Sequence, residues 1–383
     1  MERGRCDRGP GVSRAGAKYR TYLAAIVAVS FILSACSGDR VTAPMTSDGS
    51  VDIMDGPAGE TPPQTPDPGS PPSSDPAAEP APAPTPPPPP GPTPTAGNPL
   101  LGVAFYLEPN NRARTQADSW LASRPLDAAQ MEKIAARPQA KWLGSWLDDP
   151  SNEIASTLAA ASAQNAVAVL VAYNITNLDC RSAGARNAAA YRNWIDRFAS
   201  AIGSSRAVVI LEPDALPALG CLSAAGQQER VELLSYAVRT LKTQPGVTLY
   251  VDAGHAMWQS AAEMAHRLGL AGIAEADGFS LNVSNFISTD ANVRYGGDLS
   301  SRMGGKHFVI DTGRNGLGPT ADLQWCNPAG RALGIPPGTL TVHPALDAYL
   351  WIKPPGESDG TCNGGPAAGA WWPEYALGLA QRS

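Results

Sequence analysis

Beyond residue 98, six acids follow closely on short apolar runs: Asp179, Asp214, Asp252, Asp311, Glu357 and Asp359. A single acid in such a place ordinarily caps the helix that follows. Several at one end of one sheet are harder to account for as caps. Like charges crowded together raise one another's pKa and disfavour the fold unless chemistry uses them. Two carboxyl groups can cleave the acetal bond between sugars, one protonated to serve the leaving oxygen and one ionised to help water attack. For that work one Asp must keep its proton near neutral pH, although a free Asp titrates at about 3.9. Burial and a nearby negative carboxylate would both push such an Asp upward.

Rival chemistries find less support. A serine hydrolase of the Gly-x-Ser-x-Gly type lacks its elbow here, and four histidines leave few candidates for a triad. No Cys-x-x-Cys or close Cys/His pair offers a zinc site, so neither metal nor cofactor is expected. The net charge of −6 comes without a basic stripe, which argues against nucleic acid and suits a neutral polymer.

The elements that would position these acids alternate. Apolar runs at 101–106, 140–146, 166–173, 207–211, 248–251, 278–283, 307–310 and 348–352 read as buried strands. Helical spacing fills much of what lies between, as at 188–201, 226–243 and 260–268. Seven or eight such units predict an α/β fold with parallel strands curled into a (β/α) barrel, in a single catalytic domain spanning 98–383. In such barrels the chemistry gathers at the carboxyl ends of the strands, where these acids fall.

The first 97 residues read differently. Basic residues from Arg3 to Arg20 precede an apolar run, Tyr22 to Leu33, that is too short for a bilayer span of about 20 residues. This is the layout of a secretory signal over 1–35, and Leu33-Ser-Ala-Cys36 resembles the bacterial lipoprotein box, with Cys36 the lipidated residue. Residues 36–97 are Pro-rich and form an extended spacer rather than a core. The expected protein is therefore exported, either held at the cell envelope or surface through a lipid on Cys36 or secreted, and monomeric. Cys180, Cys221, Cys326 and Cys362 remain, an even number in an oxidising compartment. Three pairings are open, and the sequential one, Cys180–Cys221 with Cys326–Cys362, is preferred.

Six segments, in order, carry a family resemblance: Val171-Ala-Tyr-Asn174 with Asp179-Cys180, Ile210-Leu-Glu-Pro-Asp214, Tyr250-Val-Asp-Ala-Gly-His255, Val309-Ile-Asp-Thr-Gly-Arg-Asn-Gly316, Gln324-Trp-Cys-Asn-Pro328 and Trp351-Ile-Lys-Pro-Pro-Gly-Glu-Ser-Asp-Gly360. The chain resembles glycoside hydrolase family 6, the cellulases that comprise endoglucanases and cellobiohydrolases. The resemblance implies a distorted barrel and inverting hydrolysis of β-1,4-glucosidic bonds. It makes Asp214 the general acid, Asp179 the residue that raises the acid's pKa and stabilises positive charge on the sugar, and Asp359 the base. Lys353 and Glu357 match sugar-binding positions, Tyr173 matches the tyrosine that distorts the reacting ring, and the four cysteines match two sequential disulfides.

Trp142, Trp258 and Trp325 are expected to stack on glucose rings, whereas Trp371 and Trp372 read as packing. Asp252 is expected to support the site, His255 to be a hydrogen-bonded structural residue, and Asp311 to be a loop former ion-paired beside Arg314 and Asn315. The segment after Cys180 is shorter than the family's mobile loop, leaving only Ser182 to help hold the attacking water. Long insertions of the kind that roof a cellobiohydrolase tunnel are also lacking, so an open cleft and internal cleavage are expected. The alternatives are an exo-acting cellobiohydrolase and a glucan-binding protein without activity.

Overall fold

The computed structural model describes residues 97–180 and 183–383; the expected signal, Cys36, the spacer up to residue 96, Arg181 and Ser182 lie outside the described residues. Two helices, α1 (Arg112–Trp120) and α2 (Pro125–Ala135), precede a run of alternating strands and helices. The run is β1 (Lys141–Gly144), α3 (Ser151–Ala163), β2 (Ala168–Tyr173), α4 (Ala188–Ile202), β3 (Ala207–Leu211), α5 (Ala224–Lys242), β4 (Val247–Asp252), α6 (Ala261–Leu270), β5 (Gly278–Leu281), α7 (Thr289–Arg302) and β6 (His307–Asp311). After β6 a long irregular connection stands where a sixth crossover helix would be, followed by β7 (Leu346–Leu350) and α8 (Pro373–Gln381).

The seven strands pair in sequence order, each parallel to the next. Parallel neighbours require a crossover, and the amphipathic helices supply it while covering the outer face. Side chains alternate along each strand with period two. On β2 and β3, Leu170, Ala172, Val209 and Leu211 meet the helices, whereas Val169, Val171, Val208 and Ile210 fill the interior of the curl. Asn187, Ser223, Ser260 and Ser288 accept a backbone N–H from the first turns of α4, α5, α6 and α7, which fixes where each helix begins.

The sheet curls into a barrel without a complete ladder. Among the described residues, no strand pairing joins β1 to β7. The Ala140 N–H donates to the Trp351 carbonyl at 3.0 Å and the Trp142 indole N–H to the Ile352 carbonyl at 2.8 Å across that seam.

One expected strand did not form. Residues 101–106 contribute only an isolated bridge between Phe105 and Val167. Leu101 N–H bonds back to Asn98 O and Val103 N–H to Leu100 O, with Gly102 at φ +72°. These turns consume the backbone groups that a ladder would need. The expected run 140–146 is also shorter in the fold, so Trp146 leaves β1 and falls in the loop at the barrel rim.

Candidate active site

The carboxyl end of β3 turns sharply through Glu212-Pro213-Asp214, with Glu212 at φ +48° and Asp214 at φ +69°. Such left-handed conformations are strained for residues other than glycine and persist only where neighbours over-determine them. Both adjacent strands do so. From β4, Asp252 Oδ2 accepts the Asp214 N–H at 2.9 Å and the Gly254 N–H at 3.1 Å, while Oδ1 accepts the Ser280 hydroxyl at 3.1 Å. Towards β2, the Glu212 carboxylate accepts the N–H groups of Asn174 and Ile175 at 2.9–3.1 Å. Burial pushes Asp252 up to about 6 and Glu212 up to about 7, against the lowering effect of those donors. Asp214 itself is half-buried and faces the cleft.

A second acid centre lies beyond β7. Asp359 Oδ2 accepts from Arg314 Nη1 at 2.8 Å and from the Asn327 N–H at 3.0 Å. The Asp359 N–H returns a bond to Asn327 Oδ1 at 2.8 Å. Lys353 Nζ stands 4.0 Å from Asp359 Oδ1 and 3.9 Å from Glu357 Oε2, and burial lowers its pKa. Burial raises Glu357, which also meets Arg112 at 3.3 Å.

Asp311 corrects an expectation. It is not the ion-pair partner of Arg314, which turns instead to Asp359 and to the Ser284 carbonyl. Its carboxylate collects four backbone N–H groups: Ser284 after β5, its own Gly313, and Ile352 and Lys353 after β7. Burial raises its pKa despite those donors. Asp311 therefore binds three strand ends together.

Two disulfides brace these centres. Cys180–Cys221 joins the loop after β2 to the segment following Asp214, and Cys326–Cys362 joins the β6–β7 connection to the chain just past Asp359. Asp179 lies in the 3-10 turn Leu178–Cys180; its side chain, like all of Ser182, falls outside the described residues.

A cleft of about 1630 Å³ runs across this rim. Asp214, Asp359, Glu357, Lys353, Tyr173, His255, Trp142, Trp258 and Trp325 line it, so all the expected sugar-binding residues share one surface. The three tryptophans differ in setting. Trp325 is 60% exposed and Trp258 39%. Trp142 is half-buried, bonded through its indole to Ile352 O and edge-on to Tyr173 at 5.3 Å. His255 Nδ1 accepts the Met257 N–H at 3.2 Å, and burial lowers its pKa to about 4, so it is a neutral group at the cleft wall. Trp371 and Trp372 pack against the cluster built by α1, α2 and α8, and Trp371 also reaches the cleft.

Sequence reasoning passed over Trp146, 59% exposed beside Gly144, where a Cβ would run into both the Trp146 ring and Tyr173 O. It also gave no role to Glu212, and none to Asn327 in holding Asp359. The quoted motifs contain both residues, but nothing in their spacing says which backbone groups they meet.

The comparisons with known proteins agree with this geometry. The family model for glycosyl hydrolases family 6 matches residues 100–383. The chain belongs to that family. This family 6 chain is similar to Endoglucanase A of Cellulomonas fimi, 45% identical over 283 residues, covering 73% of this chain and 61% of that protein. It thus spans about three fifths of the length of that relative. The 1,4-beta-D-glucan cellobiohydrolase C of Emericella nidulans is 28% identical over 368 residues, covering 75% of this chain and 79% of its own. Among solved structures, the endoglucanase Cel6 of Mycobacterium tuberculosis, in complex with methyl-cellobiosyl-4-deoxy-4-thio-beta-D-cellobioside, superposes with a TM-score of 0.71 at 46% identity. That match covers 75% of this chain and 99% of that one.

Proposed function

We propose that the chain is an endoglucanase that hydrolyses internal β-1,4-glucosidic bonds of cellulose or a related β-glucan with inversion. The observation that carries this reading is the single cleft in which Asp214 and the Arg314-bound Asp359 face the same space as exposed tryptophans. Asp214 gives its proton to the glycosidic oxygen as the bond to the anomeric carbon breaks. Water enters from the opposite face of the ring, and its proton passes towards Asp359. Asp179 stabilises the positive charge that develops on the sugar, and Asp252 holds the backbone of the acid. Trp258 and Trp325 carry the polymer on their faces, with Trp142 and Tyr173 beneath the reacting ring and Lys353 and Glu357 binding its hydroxyls.

Internal rather than terminal cleavage is favoured by chain length. Aligning with the Cellulomonas fimi endoglucanase takes 283 positions to cover 73% of this chain, whereas the Emericella nidulans cellobiohydrolase takes 368 to cover 75%. The excess is chain that the cellobiohydrolase has and this protein lacks. A short domain leaves the cleft unroofed.

Export through a signal at 1–35, a lipid on Cys36 and a spacer to residue 97 complete the proposal, with a monomeric domain from residue 98 acting on a polymer outside the cell. The two disulfides support an oxidising compartment. Product analysis by anomer-resolved NMR on soluble and crystalline cellulose tests the reaction. The reading requires α-configured new ends and a rapid fall in polymer length; β-configured ends or cellobiose alone would overturn it.

A further inference from the structure

Glu212 plays no part in the hydrolytic scheme, yet it is a carboxyl group only 1% exposed, two residues from the proposed acid. A buried charge is retained only where its partners compensate for lost water. Here the backbone donors all come from one place. They are the N–H groups of Asn174 and Ile175, the first residues after β2.

The same stretch is gripped from α5. Arg230, also 1% exposed, donates from Nη2 to the carbonyls of Thr176 and Asn177 at 2.8 and 2.7 Å. Its Nη1 donates to the Ala215 carbonyl at 3.1 Å, next to Asp214. One guanidinium therefore spans the loop after β2 and the loop after β3. Thr176 Oγ1 adds a bond to Glu229 Oε1 at 3.2 Å, and Cys180 is joined to Cys221.

The loop also closes on itself. Ala185 N–H donates to Asn174 O at 2.8 Å and Leu178 N–H to Ala183 O at 3.1 Å. Gly184, at φ +85°, lies where a Cβ would run into Ile175 O. Inside this closed loop, in the 3-10 turn Leu178–Cys180, sits Asp179. Its anchors to the rest of the barrel named above all come from residues 212–230, the same β3–α5 unit that carries Asp214.

We propose that Glu212 and Arg230 are positioning residues that set the placement of Asp179 relative to Asp214 by locking the loop of one to the strand–helix unit of the other. Resting on the proposed reaction, this makes the two acids one preorganised unit rather than two independent groups. A displacement of about 1 Å in such a constellation lowers turnover by up to about 100-fold.

The test uses the full chain with Glu212→Gln and Arg230→Lys. An amide at 212 keeps one oxygen for the Asn174 and Ile175 N–H groups but turns its NH2 against the second Asn174 contact at 3.1 Å and gives up the charge on both bonds, and an ammonium cannot span three carbonyls in a fixed fork. Each variant is expected to lower kcat about tenfold or more with KM little changed, and to move the alkaline limb of the pH–rate profile in the direction that Asp179→Asn moves it. In an Asp179→Asn background the same substitutions should change kcat by less than about twofold, because residues acting through one another are not additive. Equal losses in both backgrounds, or an unmoved limb, would overturn the proposal. Hydrogen–deuterium exchange of the peptide over 174–185 decides the anchoring without reference to activity. Faster exchange there in both variants, with strand peptides still protected, supports it, and unchanged exchange overturns it. If the wild-type chain protects this loop but releases no sugar from β-glucan, the proposed reaction falls and the catalytic part of the inference with it.

Discussion

Arg314 Nη1 lies 2.8 Å from Asp359 Oδ2, and only 1% and 4% of the two side chains are exposed. The guanidinium also donates to the Ser284 carbonyl and stacks over Phe286 at 4.4 Å. One oxygen of Asp359 is thus held by the guanidinium, while the other faces Lys353 at 4.0 Å.

Removing one partner of that pair leaves an uncompensated buried charge. Arg314→Met is expected to destabilise the fold by about 3–5 kcal/mol, read from urea unfolding at pH 7. Turnover should fall well beyond what the remaining folded fraction explains. A loss under about 1 kcal/mol would show that Asp359 is compensated from elsewhere.

The tryptophans separate by setting. Trp142 packs on Tyr173 and bonds across the β1–β7 seam, so Trp142→Ala should cost about 3–5 kcal/mol of stability. Trp325, 60% exposed on the β6–β7 connection, should lose only about 0.5 kcal/mol as Ala while its KM on polymer rises. Equal effects of the two substitutions on unfolding would refute the view that Trp142 carries the frame as well as lining the cleft, while Trp325 serves the substrate surface alone.

These settings mark how far the sequence could be read. Strands whose side chains alternate between two apolar surfaces were visible as unbroken runs, and β3 was found to the residue at 207–211. The run at 101–106 misled because its turns form before any ladder can. Asp214 and Asp359 were visible because they follow strands. Their holders were not. Arg314 meets Asp359 across 45 residues, and Glu212 meets Asn174 across 38, relations that no local period encodes. Trp146 was absorbed into a strand that Gly144 ends.

His255 makes the domain less stable in acid. Its folded pKa is lowered from 6.5 to about 4 by burial, so between those values the unfolded chain takes a proton that the folded one refuses. Stability from this group is intact above pH 6.5 and falls as pH drops towards 4. His255→Asn removes the difference. Between pH 7.5 and 4.5 the variant should gain on the wild type by on the order of 2 kcal/mol in urea unfolding. A constant gap across that range would mean that His255 titrates normally in the fold.

Asp252 discriminates between charge and position. Its carboxylate holds the Asp214 N–H, the Gly254 N–H and the Ser280 hydroxyl. Asn keeps an oxygen for the two N–H groups and can donate to Ser280, whereas Ala keeps nothing and frees a backbone strained at φ +69°. If Asp252 acts by position, Asp252→Asn should retain at least about ten times the kcat of Asp252→Ala. Equal losses would assign the role to its charge.

Asp214 has a test that depends on the leaving group. An acid matters when the departing oxygen needs a proton, and an acidic phenol leaves without one. Asp214→Asn should lower kcat on β-glucan by about 10²- to 10⁴-fold, the usual worth of general acid catalysis. On a dinitrophenyl cello-oligosaccharide the same variant should lose far less, because only the water-attack half of the reaction is still demanding. With alkyl and dinitrophenyl leaving groups compared in one experiment, a uniform loss would make Asp214 a positioning or electrostatic group. A loss confined to the poor leaving group would place the proton on Asp214.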